Sequence, residues 1–69
     1  MNQEERTLRS RAAILDAALA LFSTQGYRAT SMRDVARKAL VSIGNVYHRF
    51  DDKDAIFREL LDTFWRVVE

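Results

Sequence analysis

The sequence contains no cysteine and only one histidine. Disulfides, thiolate metal sites and multi-histidine metal sites within one chain are therefore excluded, and we expect neither a metal nor a cofactor. Proline is also absent, glycine occurs only twice, and no segment alternates apolar and polar residues as a β-strand would. No apolar run approaches the ~18 residues of a membrane span, and the polar N-terminus lacks the apolar core of a signal peptide. We therefore expect a cytoplasmic protein without a membrane partner.

The length of 69 residues allows one domain at most, and 48% of the residues are hydrophobic, which argues against disorder. The net charge of +1 hides an uneven distribution. Residues 28–53 contain six basic and three acidic residues, whereas residues 54–69 contain two basic and four acidic ones. A polyanion would be attracted to the middle of the chain. Charge alone, however, favours an ordinary solvated helical surface.

Two longer helices are predicted at the ends of the sequence. The first runs from about Thr7 to Gln25 and is ended by Gly26 as a left-handed stop, after which Tyr27 is expected to pack back onto the helix. The other begins around Asp51–Asp52, whose charges suit the positive end of a helix dipole. Their apolar stripes are Ile14, Leu15, Ala18, Leu19, Leu21 and Phe22 in the first, and Ala55, Phe57, Leu60, Leu61, Phe64 and Val68, widened by Ile56 and Trp65, in the last.

Two short helices are predicted between them. Thr30 or Ser31 can cap the first of these, and Asp34 stands at the position that completes a capping box with Ser31. The next helix follows Ser42 and ends near Arg49, with Val41 and Val46 placed as a hydrophobic staple around the cap.

Two short helices joined by a tight turn are typical of a helix-turn-helix, here at about residues 31–50. The second helix of such a unit enters the DNA major groove. That role explains Gly44, which costs about 1 kcal/mol relative to alanine in a helix but lets the backbone approach a ligand closely. In the same interpretation, Tyr47 and Lys53 can contact phosphates.

The stretch "GYRATSMRDVARKALVSIGNVYHRFDDKDAIF" resembles the DNA-binding domain of the TetR (tetracycline-repressor) family of bacterial transcription regulators. The resemblance covers about residues 8–68 and also includes the leading "ILDAALALFSTQGY", the "V-S-x-G-x-x-Y-x-x-F" of the third helix and the lysine that follows it. It implies an all-α fold, in which a homeodomain-like three-helix unit is followed by the start of a fourth, connecting helix.

The resemblance also implies specific DNA contacts. Arg33 would reach a phosphate or a base edge, Ile43 a thymine methyl group and Asn45 a base edge. Ile43 and Tyr47 also fit an apolar stripe of the third helix, so packing is the alternative role for both. The implied contacts are Thr30, Ser31, Arg33, Ser42, Ile43, Gly44, Asn45, Tyr47, His48 and Lys53.

One residue departs from the family pattern. Between Ala39 and Val41 the family usually has glycine, in a turn that requires a positive φ, and this chain has Leu40. A left-handed leucine costs about 1–2 kcal/mol. Either the turn adopts another shape or the strain is tolerated.

We therefore expect a non-enzymatic, sequence-specific DNA-binding module of a repressor. The resemblance implies a homodimer on a near-palindromic operator and release by a small-molecule inducer, which binds a C-terminal domain absent from this chain. The apolar residues near the end of the fourth helix favour the same view, because they would pack against something further along. The alternative is a helical protein-interaction module that uses this helix. A hydrolase triad of Ser42, His48 and Asp51 is the weakest option, because no glycine-rich elbow accompanies it.

Overall fold

A computed structural model describes residues 3–68, with side chains described from 9 to 63 and at Arg66. Within that range the chain forms four helices and no strand: α1 (Gln3–Thr24), α2 (Met32–Ala39), α3 (Ile43–Arg49) and α4 (Lys53–Val68). The predicted all-α fold is confirmed. The start of α1 lies four residues earlier than predicted, because "QEER" consists of good helix formers. None of these helices has the length and hydropathy needed to cross a membrane.

The core forms where the four helices meet. Ile56 is at its centre with none of its surface exposed, whereas Phe57 and Leu61 are 41% and 42% exposed. Ala55 and Leu60 of the predicted stripe of α4 pack against the core, and Ile56, which was predicted only to widen that stripe, is fully buried. Apolar residues flank Ile56, so periodicity alone does not locate the centre of the face. The predictions for Phe64, Trp65, Val67 and Val68 fall on side chains outside the described residues. The core consists of Ile14, Ala17, Ala18, Met32, Val35, Ala36, Val46, Phe50 and Ile56.

The connection between α1 and α2 follows the prediction. Gly26, two residues after the end of α1, adopts φ 95°. The Tyr27 ring then packs 5.2 Å from the Phe22 ring, and Phe57 of α4 completes the cluster at 5.4 Å from Tyr27. These three rings join α1, the loop after it and the first turns of α4.

A second contact between distant parts of the chain was not predicted. The Arg11 guanidinium forms an ion pair with Glu59 and lies 5.0 Å from the centre of the Phe50 ring. It thereby joins α1 to α4 and to the C-terminal end of α3. Nothing in the local sequence around either charge indicates their pairing.

The turn between α2 and α3 keeps the backbone shape that favours glycine. Leu40 has φ 62° and ψ 38°, in the left-handed region, and its side chain is 90% exposed. Its N–H donates to the Arg37 carbonyl, and the Val41 N–H donates to the Ala36 carbonyl, which together make a Schellman motif. Of the two alternatives left by the sequence, tolerated strain is therefore the correct one.

Leu40→Gly is expected to raise the free energy of unfolding by about 1 kcal/mol, because glycine adopts this φ without the steric cost that leucine carries. The exposed leucine side chain contributes little packing that could be lost. Urea unfolding followed by circular dichroism measures the change. Leu40→Ala, which keeps the Cβ atom and hence the strain, is the control and should stay close to the parent. Equal stability of the two variants would show that the turn is unstrained.

Candidate nucleic-acid interface

The N-terminus of α2 carries the predicted capping box. The Ser31 hydroxyl accepts the Asp34 N–H at 3.0 Å, and the Asp34 carboxylate accepts the Ser31 N–H at 3.0 Å. Of the two capping residues that the sequence allows, Thr30 and Ser31, it is therefore Ser31 that caps α2. Arg33 lies between them in the chain and is exposed. The first turn of α2 thus presents one cation and an ordered helix N-terminus to solvent, which is a geometry suited to phosphate.

The capping box makes the free energy of unfolding depend on pH. The Ser31 backbone N–H, and secondarily the Ser31 hydroxyl and the Arg37 charge, lower the pKa of Asp34. Because its pKa is lower in the folded chain than in the unfolded one, Asp34 stabilises the fold above the ordinary aspartate pKa of about 3.9. That contribution is lost as the pH falls through the folded-state pKa.

Asp34→Asn should therefore weaken the acid dependence of unfolding. We expect urea unfolding between roughly pH 5 and pH 2 to show a smaller fall in stability for this variant than for the parent. Asp62→Asn is a matched control, because Asp62 lies on an exposed face of α4 and pairs only with Arg66 among the described residues. Parallel profiles for parent and Asp34→Asn would contradict the assignment.

Thr30 does not occupy the position expected of a phosphate ligand. Only 2% of its surface is exposed. Its hydroxyl donates to the Gly26 carbonyl at 2.8 Å and accepts from the Gln25 side chain at 3.3 Å, while its N–H donates to the Tyr27 carbonyl at 3.2 Å. The hydroxyl and the N–H of Thr30, which are the two groups that could bind a phosphate, are therefore both hydrogen-bonded within the protein. The expected contact of Thr30 is therefore corrected to a structural role in the loop before α2.

The N-terminus of α3 is held by a cap and a buried residue. The Ser42 hydroxyl accepts the Asn45 N–H at 3.1 Å. Val46 is fully buried and Val41 packs against the core, as the predicted hydrophobic staple requires. Ile43 is half-buried and also packs against the core, so its alternative role in packing is present in the structure. Any contact of Ile43 with a thymine methyl group can involve only the part of its side chain that stays accessible.

The face of α3 that points away from the core is exposed to solvent. Gly44, Tyr47 and His48 lie at i, i+3 and i+4, which places them on one side of the helix, and all three are exposed. Tyr47 is 52% exposed, so packing accounts for only half of its surface. Asn45 lies beside this face and is half-buried. A polar and aromatic surface therefore projects from the helix that the sequence assigns to the groove.

Gly44 is not required by the fold. A Cβ atom at this position would meet nothing nearer than the Ser42 hydroxyl, at 4.0 Å, and the helix is regular there. Alanine would fit the folded domain and would favour the helix. Any requirement for glycine must therefore come from a molecule that approaches α3 from outside.

Lys53, the first residue of α4 and an expected phosphate contact, is hydrogen-bonded within the protein. Its ammonium donates to the Tyr27 carbonyl at 2.7 Å and lies 4.2 Å from the centre of the Tyr27 ring. The side chain is half-buried. Two of its three N–H groups remain for other acceptors, but its position is set by the protein.

Exposed cations lie in the loop before α2 and on α2 itself. Arg28, Arg33, Arg37 and Lys38 are all exposed, and among the described residues the ion pairs are Arg11 with Glu59 and Arg66 with Asp62. None of these four cations forms an ion pair among the residues that the structure describes, although the charge of Arg37 also acts on the Asp34 carboxylate. Such a set attracts a polyanion and supplies the salt-dependent part of its binding.

Comparison with known proteins identifies one family and several transcriptional regulators that resemble this chain. A family described as "Bacterial regulatory proteins, tetR family" matches residues 14–60. The chain is 43% identical over 54 residues to the HTH-type transcriptional repressor KstR2 of Rhodococcus jostii (strain RHA1), with 78% of this chain and 26% of the relative covered. It is 45% identical over 59 residues to the HTH-type transcriptional regulator HbdR of Aromatoleum sp. (strain CIB), with 80% and 26% covered. For the HTH-type transcriptional regulator AcrR of Shigella flexneri the identity is 42% over 60 residues, with 87% and 26% covered.

The chain spans about a quarter of the length of these curated relatives. No solved structure matches it.

Proposed function

The chain belongs to the TetR family of bacterial regulatory proteins and is a DNA-binding regulatory module, and on that basis we propose that it recognises an operator sequence by inserting α3 into the major groove. The observation that carries the proposal is the open face of α3, where Gly44 has no structural reason to be glycine. A bare backbone at this point lets the helix start approach the base edges. The exposed cations of the middle region supply the attraction to the phosphate backbone.

The contacts divide into two kinds. Ser31 and Arg33, at the start of α2, bind phosphate and fix the register of the domain on the duplex. Asn45 reads a base edge, and the accessible part of Ile43 contacts a thymine methyl group. Ser42, Gly44, Tyr47 and His48 complete the surface that enters the groove, with the Tyr47 hydroxyl donating to a phosphate.

We further propose that the whole regulator is a repressor that acts as a homodimer. One of the relatives, KstR2, is named a transcriptional repressor. Two copies of α3 about 34–36 Å apart would enter successive major grooves of a near-palindromic operator. A small-molecule inducer, bound by a C-terminal domain, would release it. The 69-residue chain alone would bind a half-site weakly, because the gain from linking two sites is missing.

Selection of duplexes from random DNA tests the proposal. Two copies of the 69-residue chain joined by a flexible linker are expected to enrich one short motif, which appears singly or as an inverted repeat. The affinity for the enriched duplex should fall steeply with salt, since each phosphate contact contributes a slope of about −0.9 in log K against log salt. A library that returns no enriched motif, or binding that salt leaves unchanged, would contradict it.

A second candidate function uses α4 as a surface for a protein partner. Phe57 and Leu61 lie one turn apart on this helix and are both partly exposed. Phe57, however, already contacts the rings of Phe22 and Tyr27. Over the part of α4 whose side chains are described, the apolar surface left for a partner is therefore small, and DNA binding is the better-supported function.

A further inference from the structure

The C-terminal end of α3 is held through Phe50. The helix packs chiefly against α2, and it ends at Phe50, whose N–H donates to the Val46 carbonyl at 2.9 Å. The Phe50 ring is buried in the core, and only residues 50–52 separate α3 from α4. The angle of α3 on its packing against α2 therefore depends on where the Phe50 ring lies.

Arg11 of α1 covers that ring from outside the helix-turn-helix. Its guanidinium lies 5.0 Å from the centre of the Phe50 ring, within the range of a cation–π interaction. The same guanidinium donates from Nη2 to Oε1 of Glu59, on α4. The side chains of Arg11 and Glu59 are only 38% and 35% exposed, so their ion pair is less screened by solvent than one on an open surface.

Glu59 determines where the Arg11 guanidinium lies. A long arginine side chain loses rotamer freedom when it is fixed, so it needs a partner that holds it in one position. Glu59 provides that partner from a stable base, because Ile56, one turn earlier on α4, is fully buried in the core. Among the described residues, Arg11 is the cation that pairs with Glu59. The contacts therefore run from α4 through Glu59 and Arg11 to Phe50 at the end of α3.

We propose that Glu59 is a positioning residue of the DNA-binding site: its carboxylate holds the Arg11 guanidinium over the Phe50 ring, and so sets the angle at which α3 meets the duplex. The inference rests on the proposed function, since it concerns how that site is oriented. Glu59 carries a negative charge, so a phosphate would repel it. Its contribution to DNA binding therefore comes through Arg11.

Glu59→Ala separates positioning from electrostatics by the sign of its effect. Loss of a negative charge strengthens the attraction to a polyanion, so without a positioning role the affinity for duplex should stay equal or rise. Positioning predicts that the affinity for the duplex enriched by selection falls about fivefold, as expected when a fifth of the folded molecules hold the binding pose. An equal or higher affinity for that duplex would overturn the inference.

A duplex of scrambled sequence distinguishes positioning from a loss of folding. Binding to it depends on attraction to the phosphates, so Glu59→Ala should bind it at least as tightly as the parent does. A purely structural role would lower the folded fraction, and with it the affinities for both duplexes by the same factor. An equal loss on both duplexes, measured by anisotropy, would therefore also overturn the inference.

Asp62→Ala is the matched control, because it removes the same charge from an exposed position on α4. Its affinities for both duplexes should equal or exceed those of the parent. A fivefold loss on the enriched duplex in this variant as well would assign the effect to the charge of α4 instead of to the pairing with Arg11, and would overturn the inference.

NMR of the unmodified chain tests the contact without any substitution. Because the guanidinium lies over the Phe50 ring, the Arg11 Hδ and Hε protons should be shifted upfield by the ring current. We expect this shift to persist when the enriched duplex is added to saturation, and its loss on binding would overturn the inference. The two proposals also fail separately. If the parent chain binds no duplex in a salt-dependent way, the proposed function is wrong. If the parent prefers the enriched duplex and Glu59→Ala keeps that preference in full, only the positioning role is wrong.

Discussion

Gly44→Ala is expected to lower the affinity for the operator duplex by ten-fold or more, about 1.4 kcal/mol or more in binding free energy, without loss of stability. The folded chain has room for the new methyl group, whose nearest neighbour would be the Ser42 hydroxyl at 4.0 Å. The helix itself should gain up to about 1 kcal/mol from the exchange. The methyl group would, however, keep the backbone of α3 away from the base edges. Fluorescence anisotropy with the selected duplex measures the affinity, and urea unfolding measures the stability.

The opposite signs of the two effects make this variant informative, because a loss of binding cannot then be attributed to unfolding. Thr63→Ala provides the control: it raises helix propensity at an exposed position on α4 and should leave the affinity for DNA unchanged. If Gly44→Ala binds as tightly as the parent, the backbone at Gly44 does not approach the duplex, and the insertion of α3 proposed above is wrong.

The parts of the structure that were predictable from sequence are those held by local hydrogen bonds. Ser31 and Asp34 are three residues apart, as are Ser42 and Asn45, so a capping residue and its partner appear together in the sequence. Gly26 ends α1 for a similar local reason. Such pairs fix where helices begin and end, and with them the helix-turn-helix and the exposed face of α3.

The parts that were not predictable depend on residues far apart in the chain. Lys53 and the Tyr27 carbonyl are 26 positions apart, and Arg11 and Glu59 are 48 apart. The sequence identifies these side chains as cations or anions but contains no signal for their partners. Thr30 was misassigned for the same reason. A threonine next to a helix N-terminus is expected from sequence to be exposed and able to bind a phosphate, whereas the packing of the preceding loop buries Thr30. For candidate contacts, residue type indicated the chemistry, while tertiary packing decided which groups remain accessible.

Tyr47→Phe is expected to reduce the affinity for the duplex by tenfold or more, because it removes the proposed hydrogen bond to a charged phosphate oxygen, worth about 1.5–3 kcal/mol. The ring stays in place, so the half of Tyr47 that packs against the protein is retained. Tyr47→Ala should bind more weakly still, since the contact area of the ring is lost as well. Both affinities are measured by anisotropy at one fixed salt concentration, because phosphate contacts depend on salt.

The second tyrosine of the chain supplies the matched control. Tyr27→Phe removes the same hydroxyl but keeps the ring that packs against Phe22 and Phe57, and it leaves the carbonyl that accepts Lys53 unchanged. Its affinity for the duplex should equal that of the parent. If Tyr47→Phe also equals the parent while Tyr47→Ala is weak and less stable, then Tyr47 acts through packing of α3, and its hydroxyl makes no contact with the DNA backbone. A loss confined to Tyr47→Phe and Tyr47→Ala, with stability close to that of the parent, places the phosphate contact on the exposed face of α3.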